Sequence, residues 1–502
     1  MKNNKFLILT MGTLMCLTAC GGGGGTVVDQ DLPADDPTSE VEINFWHCLG
    51  HAKTTNLEKI VTKFNTDYAG KYRVKLTHLA GDYDTLHDAL KTKLASGEIP
   101  ALTMGYPDSF SEYITKDMSE SSILRLDNFI ADPNYGYTQA ELDDFVPGFF
   151  AEGTGYQFDG TWSMPMYKST EVMYYNKQYF AGSNVLNKQK FAENSEFIAL
   201  NKAVEGKVLP ADADLAALKA WVKSHNGYTY DVPVTWTELF QTAAKMKADR
   251  ETEKIKDEFY PVGYDSDANM LISQMKQRDI PYTVNDEESK ADPAKHFKFN
   301  NQQAKELVEE VIGYINNKLL ITKNSLGGST YTNTYFNESK TAMAVGSTGG
   351  SSYNISANFG VGLAAVPYSN NNPQYIQQGP SICFFDNLNG YIHKGAWLFY
   401  KTLAEPENNA TVALENSYDP VRISSYSTIA YTTWVGMAGK GLKYDIPNIT
   451  SQLKDHYMVS PTFVGSGEAR RQIGNLITYV YQNHYSIEES FTRAINQCKS
   501  AA

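Results

Sequence analysis

Several residue groups in this sequence are of types and spacings that could hold a small molecule. Tyr106 and Asp108 stand two apart in Gly105-Tyr106-Pro107-Asp108, at the end of a predicted strand. An aromatic ring offers a flat apolar face, and a carboxylate accepts from hydroxyls, so the pair suits a polyhydroxylated solute. Ser169 and Thr170 are short hydroxyls after Pro165 and read as donors to a ligand. Ser347-Thr348-Gly349-Gly350 can present backbone N–H groups and a hydroxyl, with Ser347 and Gly350 as its expected contacts. Arg422, Arg470 and Arg471 carry planar guanidinium groups that match phosphate. Trp46 and His47 end the first predicted strand, where Trp46 reads as core and His47 as a satisfied structural histidine.

The common catalytic patterns are missing. There is no His-Glu-x-x-His, no Gly-x-Ser-x-Gly and no phosphate-cradling Gly-x-x-x-x-Gly-Lys-Ser/Thr. Gly360-Val361-Gly362 lies inside a predicted strand rather than at a strand-to-helix turn, so it is not a dinucleotide fingerprint. Asp265-Ser266-Asp267-Ala268-Asn269 resembles a calcium loop but lacks the sixth-position Gly, and Lys276 stands where a bidentate Glu is needed. A glycosidase needs two carboxylates flanking one bond, and the 57 acids offer no pair distinguished by spacing. The expectation is no catalysis, no metal and no cofactor.

The elements that must position these residues alternate. Val41 to Trp46 and Tyr72 to Thr77 have strand periodicity, and Ala101 to Met104 is a short strand. Thr54 to Tyr68 and Tyr83 to Ser96 have helical spacing. That alternation predicts a parallel, doubly wound α/β lobe, whose ligands sit outside the carboxyl ends of the strands. Thr235-x-x-Glu238 is a capping box that opens another helix, and Asn301 to Leu320 is a long amphipathic one. Gly360 to Pro367 is a predicted strand and Lys394 to Leu403 a predicted helix. Residues 181–234 are polar and rich in Lys and Ala, and read as a surface insertion.

The start of the chain predicts export. Lys2 and Lys5 precede an apolar run from Phe6 to Leu17, too short to span a bilayer. Leu17-Thr18-Ala19-Cys20 resembles the bacterial lipobox, which implies lipidation of Cys20 and a mature chain anchored to the outer face of the cytoplasmic membrane. Residues 21–40, glycine-rich and then acidic, predict a flexible tether. Roughly 460 further residues exceed one compact core, so at least two lobes are expected. A net charge of −13 gives no basic face for nucleic acid. Cys48, Cys383 and Cys498 allow at most one disulfide, in a pairing that sequence cannot choose, and match no zinc spacing.

The run Trp162-Ser163-Met164-Pro165-Met166-Tyr167-Lys168-Ser169-Thr170-Glu171-Val172-Met173-Tyr174-Tyr175-Asn176-Lys177 resembles a stretch of the extracellular solute-binding proteins of family 1, of the glycerol-3-phosphate and oligosaccharide type. Leu94 to Pro100, Val234-Thr235-Trp236, Lys340 to Met343, Ser347 to Gly350, Gly360 to Gly362 and Ser417 to Arg422 support it in order, from Glu42 to about Lys499. The resemblance implies an α/β fold of two lobes, type II periplasmic-binding-protein-like, with the ligand in the cleft between them. It implies an N-lobe of 41–150 plus 381–418 and a C-lobe of 151–380 plus 419–500, with crossings near Phe150, Gly379 and Tyr418. It implies a monomer that delivers a carbohydrate to the permease subunits of an ABC importer. By the same resemblance Tyr106 stacks on the sugar, Asp108 accepts from its hydroxyls, Tyr83 contacts it, Gly379 and Ser381 line a crossing, and Tyr418 forms an aromatic wall. Arg470 falls where glycerophosphate binders hold phosphate. Two departures lean toward a neutral saccharide: no Trp follows Val262-Gly263-Tyr264, and Pro107 separates the Tyr from its acid. A secreted carbohydrate-active hydrolase or a surface adhesin are the alternatives.

Overall fold

Two β-sheets organise the chain in a computed structural model that describes residues 30–114 and 121–502. The first has the order β2 (Tyr72–His78), β1 (Val41–His47), β3 (Leu102–Gly105), β11 (Ser381–Phe384), β4 (Met164–Pro165). β1 is parallel to both β2 and β3, in a register that pairs Val41 with Tyr72 and Phe45 with Leu102. β11 runs antiparallel to β3 and to β4. Alternation in β1 sends Ile43 and Phe45 into the core and leaves Glu42 exposed. The helix His51–Asp67 covers this sheet with Leu57, Ile60, Val61 and Phe64, one stripe at helical spacing. The helices Gly390–Leu403 and Pro406–Glu415 pack beside it from much later in the chain.

The second sheet has the order β12 (Tyr457–Met458), β10 (Tyr375–Gln378), β5 (Ser169–Asn176), β8 (Met343–Ser347), β6 (Val262–Tyr264), β7 (Leu320–Thr322), with β9 (Val361–Ala365) also pairing β5. β6 is parallel to both of its neighbours, β7 and β8, and β5 is antiparallel to β8 with Glu171 opposite Ser347. The start of β5 therefore lies at the same end of the sheet as the carboxyl ends of β6 and β8. The predicted capping box is formed: Thr235 caps the helix Trp236–Thr252, and Glu238 reaches back to the Thr235 N–H. The long helix expected over 301–320 stops at Asn316, because Leu320 already opens β7.

Three segments carry the chain between sheets, and they touch. β4 still belongs to the first sheet, so the first passage is made at Met166–Lys168 rather than near Phe150. The Met166 N–H donates to the Pro380 carbonyl at 3.1 Å, and Lys168 and Asp419 exchange backbone hydrogen bonds. Gly379 has φ +88, and a Cβ there would lie 2.8 Å from the Tyr167 carbonyl oxygen and 3.1 Å from Lys168 Cα. Both the left-handed backbone and the space demand glycine. Lys168 is fully buried, and its ammonium is satisfied by the Glu152 carboxylate, by Ser381 Oγ at 2.9 Å and by the Gly379 carbonyl at 3.3 Å.

Residues 30–40, expected as part of a flexible tether, are not free of the globular body, and residues 21–29 lie outside the described residues. From Gln30 on, the chain is docked on the first lobe: Leu32 is buried, Gln30 donates to Asp386, Asn128 donates to Asp31, and Lys71 pairs with Asp36 at 2.7 Å. An apolar anchor and oppositely charged neighbours outweigh the solvation of an acidic segment. Cys20 and the expected signal lie outside the described residues. Residues 181–234 form helices with a small core of their own, built on Phe197, Leu218 and Val222.

Candidate functional site

The loops after the carboxyl ends of the parallel strands of both sheets meet beside the three crossings, and the candidate cleft lies where they meet. The first lobe contributes Lys53 from the first turn of helix His51–Asp67, and Tyr83 from the start of helix Tyr83–Ala95. Asp82 caps that second helix by accepting from the Thr85 N–H at 3.0 Å, which fixes where Tyr83 emerges. Tyr106 and Asp108 follow β3, with Pro107 starting the short helix Pro107–Phe110. The Tyr83 and Tyr106 rings meet edge to face, centroids 4.7 Å apart. From the crossings come Tyr167 and Tyr418, with ring centroids 4.8 Å apart. The Tyr167 hydroxyl is buried with no hydrogen-bond partner among the described residues, and the Gly379 N–H faces the Tyr106 hydroxyl.

The second lobe supplies charge. Glu171, the one charged residue of β5, accepts from the Tyr264 hydroxyl at 2.5 Å and from Asn269 Nδ2 at 2.7 Å. Asn269 in turn accepts from Arg470 on the helix Ser466–Ile477. Burial pushes the Glu171 carboxyl up to about 7, against the Tyr264 and Asn269 hydrogen bonds and the Arg470 charge that hold it down. Burial likewise raises Asp108, opposed by Arg470 and the Ser466 hydroxyl. Tyr83, Tyr106 and Tyr418 are all pushed up by burial, so each stays a neutral donor.

Two contacts already join the lobes across the cleft. Ser466 Oγ donates to Asp108 Oδ1 at 2.7 Å. Lys53 Nζ reaches the Gly349 carbonyl at 3.3 Å and the Tyr418 hydroxyl at 3.4 Å. The arrangement offers aromatic faces, neutral hydroxyl donors, carboxylate acceptors and cationic donors to one polar solute.

The structure gathers Tyr83, Tyr106, Asp108, Gly379, Tyr418 and Arg470. Ser169 and Ser347 meet beside them, their hydroxyl oxygens 3.4 Å apart. Thr170 is not with them, because its hydroxyl donates to the Ile376 carbonyl of β10 at 2.8 Å on the other face of β5. At the Ser347 loop Gly349 packs on the Tyr418 ring, while a Cβ on Gly350 would touch only the Tyr353 ring at 3.9 Å. Arg422 is committed to Asp144 at 2.8 Å, and Arg471 to Glu468. His47 is fully buried and held neutral, its pKa depressed to about 4 by burial and by His78. Cys48, Cys383 and Cys498 are all free thiols. Among the described residues no cluster of His, Cys, Asp or Glu could hold a metal.

Motif reading did not nominate Lys53, Tyr167, Glu171, Tyr264, Asn269 or Ser466. Glu171 carried a signal, a lone charge inside a buried strand. Asn269 sits in the segment that departs from the glycerophosphate pattern.

The sequence matches the family of bacterial extracellular solute-binding proteins over residues 59–439. No curated protein matches it by sequence. Among solved structures, the cyclic α-maltosyl-1,6-maltose binding protein of Arthrobacter globiformis superposes with a TM-score of 0.63 at 15% identity, covering 92% of this chain and 99% of that one. The sugar-binding protein MalE of Xanthomonas citri gives 0.65 at 13% identity, with 92% and 97% covered. UgpB of Mycobacterium tuberculosis, in complex with glycerophosphocholine, gives 0.63 at 14% identity, with 92% and 98% covered. These likenesses establish the two-lobed fold.

Proposed function

Because the chain belongs to the bacterial extracellular solute-binding proteins, we propose that it captures a sugar or oligosaccharide between its lobes and hands it unchanged to the transmembrane subunits of an ABC importer. One observation carries the reading. The Tyr83–Tyr106 pair of one lobe and the Tyr167–Tyr418 pair of the crossings converge on one cleft with Asp108, Glu171 and Arg470. Ring faces cover the apolar side of a pyranose, and the acids and hydroxyls take its polar edge.

Capture follows from closure. A solute that contacts Tyr106 and Asp108 on one side and Glu171 and Arg470 on the other makes all its contacts only when the lobes are together, so it shifts the population to that form. The crossings allow the movement because they are three short segments joined by backbone hydrogen bonds. Catalysis is not part of this reading, because the family is one of solute-binding proteins.

In this reading Cys20 carries the lipid that keeps a monomeric binder beside its permease, and replacing it with Ser releases the protein from the membrane fraction. A thermal-shift screen of sugars, oligosaccharides and glycerophosphates tests the function. The account expects a saccharide to raise the melting temperature and to be recovered intact. Turnover would point to a hydrolase, and indifference to every small solute would end the proposal.

A further inference from the structure

One cation of the candidate site, Lys53, has no counter-charge among the described residues. Lys53 Nζ has three donors, and its contacts are the neutral Gly349 carbonyl at 3.3 Å, the neutral Tyr418 hydroxyl at 3.4 Å and the Tyr418 ring face at 4.7 Å. These oxygens are distant for an ammonium, which draws a carboxylate to about 2.8 Å. Among the described residues Lys53 forms no ion pair. Burial lowers its pKa, and no neighbouring carboxylate acts to restore it. The buried Lys168 shows the contrast, since its ammonium has the Glu152 carboxylate.

Arg470 on the opposite wall makes its hydrogen bond to an amide oxygen, that of Asn269. Asp108 and Glu171 lie within its field, but burial raises both, Glu171 to about 7. Arg470 thus has the Asp108 and Glu171 carboxyls within its field, whereas Lys53 has no carboxylate beside it among the described residues. Lys53 also lies against Tyr418, one of the rings that a sugar would face, so the unmatched charge is where a ring substituent would arrive.

We propose that the solute is an anionic saccharide, a sugar whose ring carries a carboxylate or a sulfate, and that Lys53 receives that group. The proposal rests on the cleft being the saccharide site. It keeps the roles of the tyrosines, which need an apolar ring face, and of Asp108, which needs hydroxyls. It adds the ligand charge that would complete the pairing of Lys53. Lysine acts as a point charge and accepts either anion, so the protein fixes the sign and position of the charge rather than the acid that bears it.

The test is calorimetric titration of the full-length mature protein with matched saccharides of equal length. The gluco, galacto and manno series are each offered as the neutral oligomer, the uronate and the sulfate ester. In the series that binds best, an anionic member is expected to bind about 30-fold tighter than its neutral parent, equivalent to ~2 kcal/mol. Whichever of uronate and sulfate is preferred identifies the acid. Lys53→Met is expected to bring the anionic-to-neutral ratio close to one, and Lys53→Arg to keep most of it. Wild-type melting behaviour in both variants separates this from misfolding. A neutral parent that binds as tightly as its anionic partners, or a preference unchanged by Lys53→Met, overturns the inference and leaves the saccharide reading standing. If no saccharide of any series binds, the saccharide reading itself falls.

Discussion

Asp419→Asn should remove a large part of the pH dependence of folding. Asp419 lies on the third crossing, is 1% exposed, and accepts from Thr450 Oγ1 at 2.8 Å, Tyr426 OH at 3.3 Å and Tyr457 OH at 3.5 Å. Among the described residues no cation reaches its carboxylate. Burial pushes its pKa from 3.8 to about 7, although those three hydroxyls pull it down. An acid raised in this way binds more protons in the native than in the unfolded state between its two pKa values. Stability is therefore highest below the unfolded value, falls as pH rises through the window, and levels off above the folded value. With those two pKa values, the loss between about pH 5 and pH 8 is about 2.5 kcal/mol for this one group. Glu171, raised to about 7, and Asp267, raised to about 6, titrate in the same window and remain in the variant. The readout is thus a difference of differences. Urea unfolding followed by tryptophan fluorescence at both pH values should show wild type losing about 2.5 kcal/mol more than Asp419→Asn. Equal pH dependence in the two proteins would refute the assignment of Asp419 as a buried, cation-free carboxyl.

Other outcomes follow from the same geometry. Gly379→Ala forces a Cβ to within 2.8 Å of the Tyr167 carbonyl oxygen at φ +88, so it should cost at least ~1–2 kcal/mol in urea unfolding and weaken solute binding by disturbing the crossing. Lys168→Met strands the Glu152 carboxylate at the floor of the cleft and should destabilise by ~3–5 kcal/mol in the same assay. Asp108→Ala removes an acceptor that a bound hydroxyl would use, and should weaken solute binding about 10- to 100-fold by calorimetry with the melting temperature near wild type.

The first sheet and its helices were legible from the sequence because each is local. The strand at Val41 and the helices beginning near His51 and Tyr83 are written in periods of two and of three to four, and they appear within a few residues of their expected bounds. The first crossing was placed too early because β4 is two residues long, and its membership of the first sheet depends on β11, more than two hundred residues later. The tether was overextended because docking of Leu32, Asp35 and Asp36 depends on Lys71, Tyr391 and Lys394, which no local pattern connects to them.

The site divides in the same way. Tyr106 and Asp108 were nominated because they end a strand, and strand ends are where such sheets bind. Thr170 was misplaced by one position in a strand, where alternate residues point to opposite faces. Lys53 gave no signal, since an exposed-looking lysine near a helix start is common and its unmatched charge exists only once Tyr418 and Gly349 are brought to it.

The function proposed above requires a saccharide held between the two lobes by the tyrosines of the cleft. Calorimetric titration of the tightest-binding saccharide into wild type and Tyr106→Ala tests it most directly. The prediction is one site per protein, sugar recovered intact, and affinity at least about tenfold weaker in the variant. Equal affinity in the two proteins would put the solute somewhere other than this cleft and contradict the account.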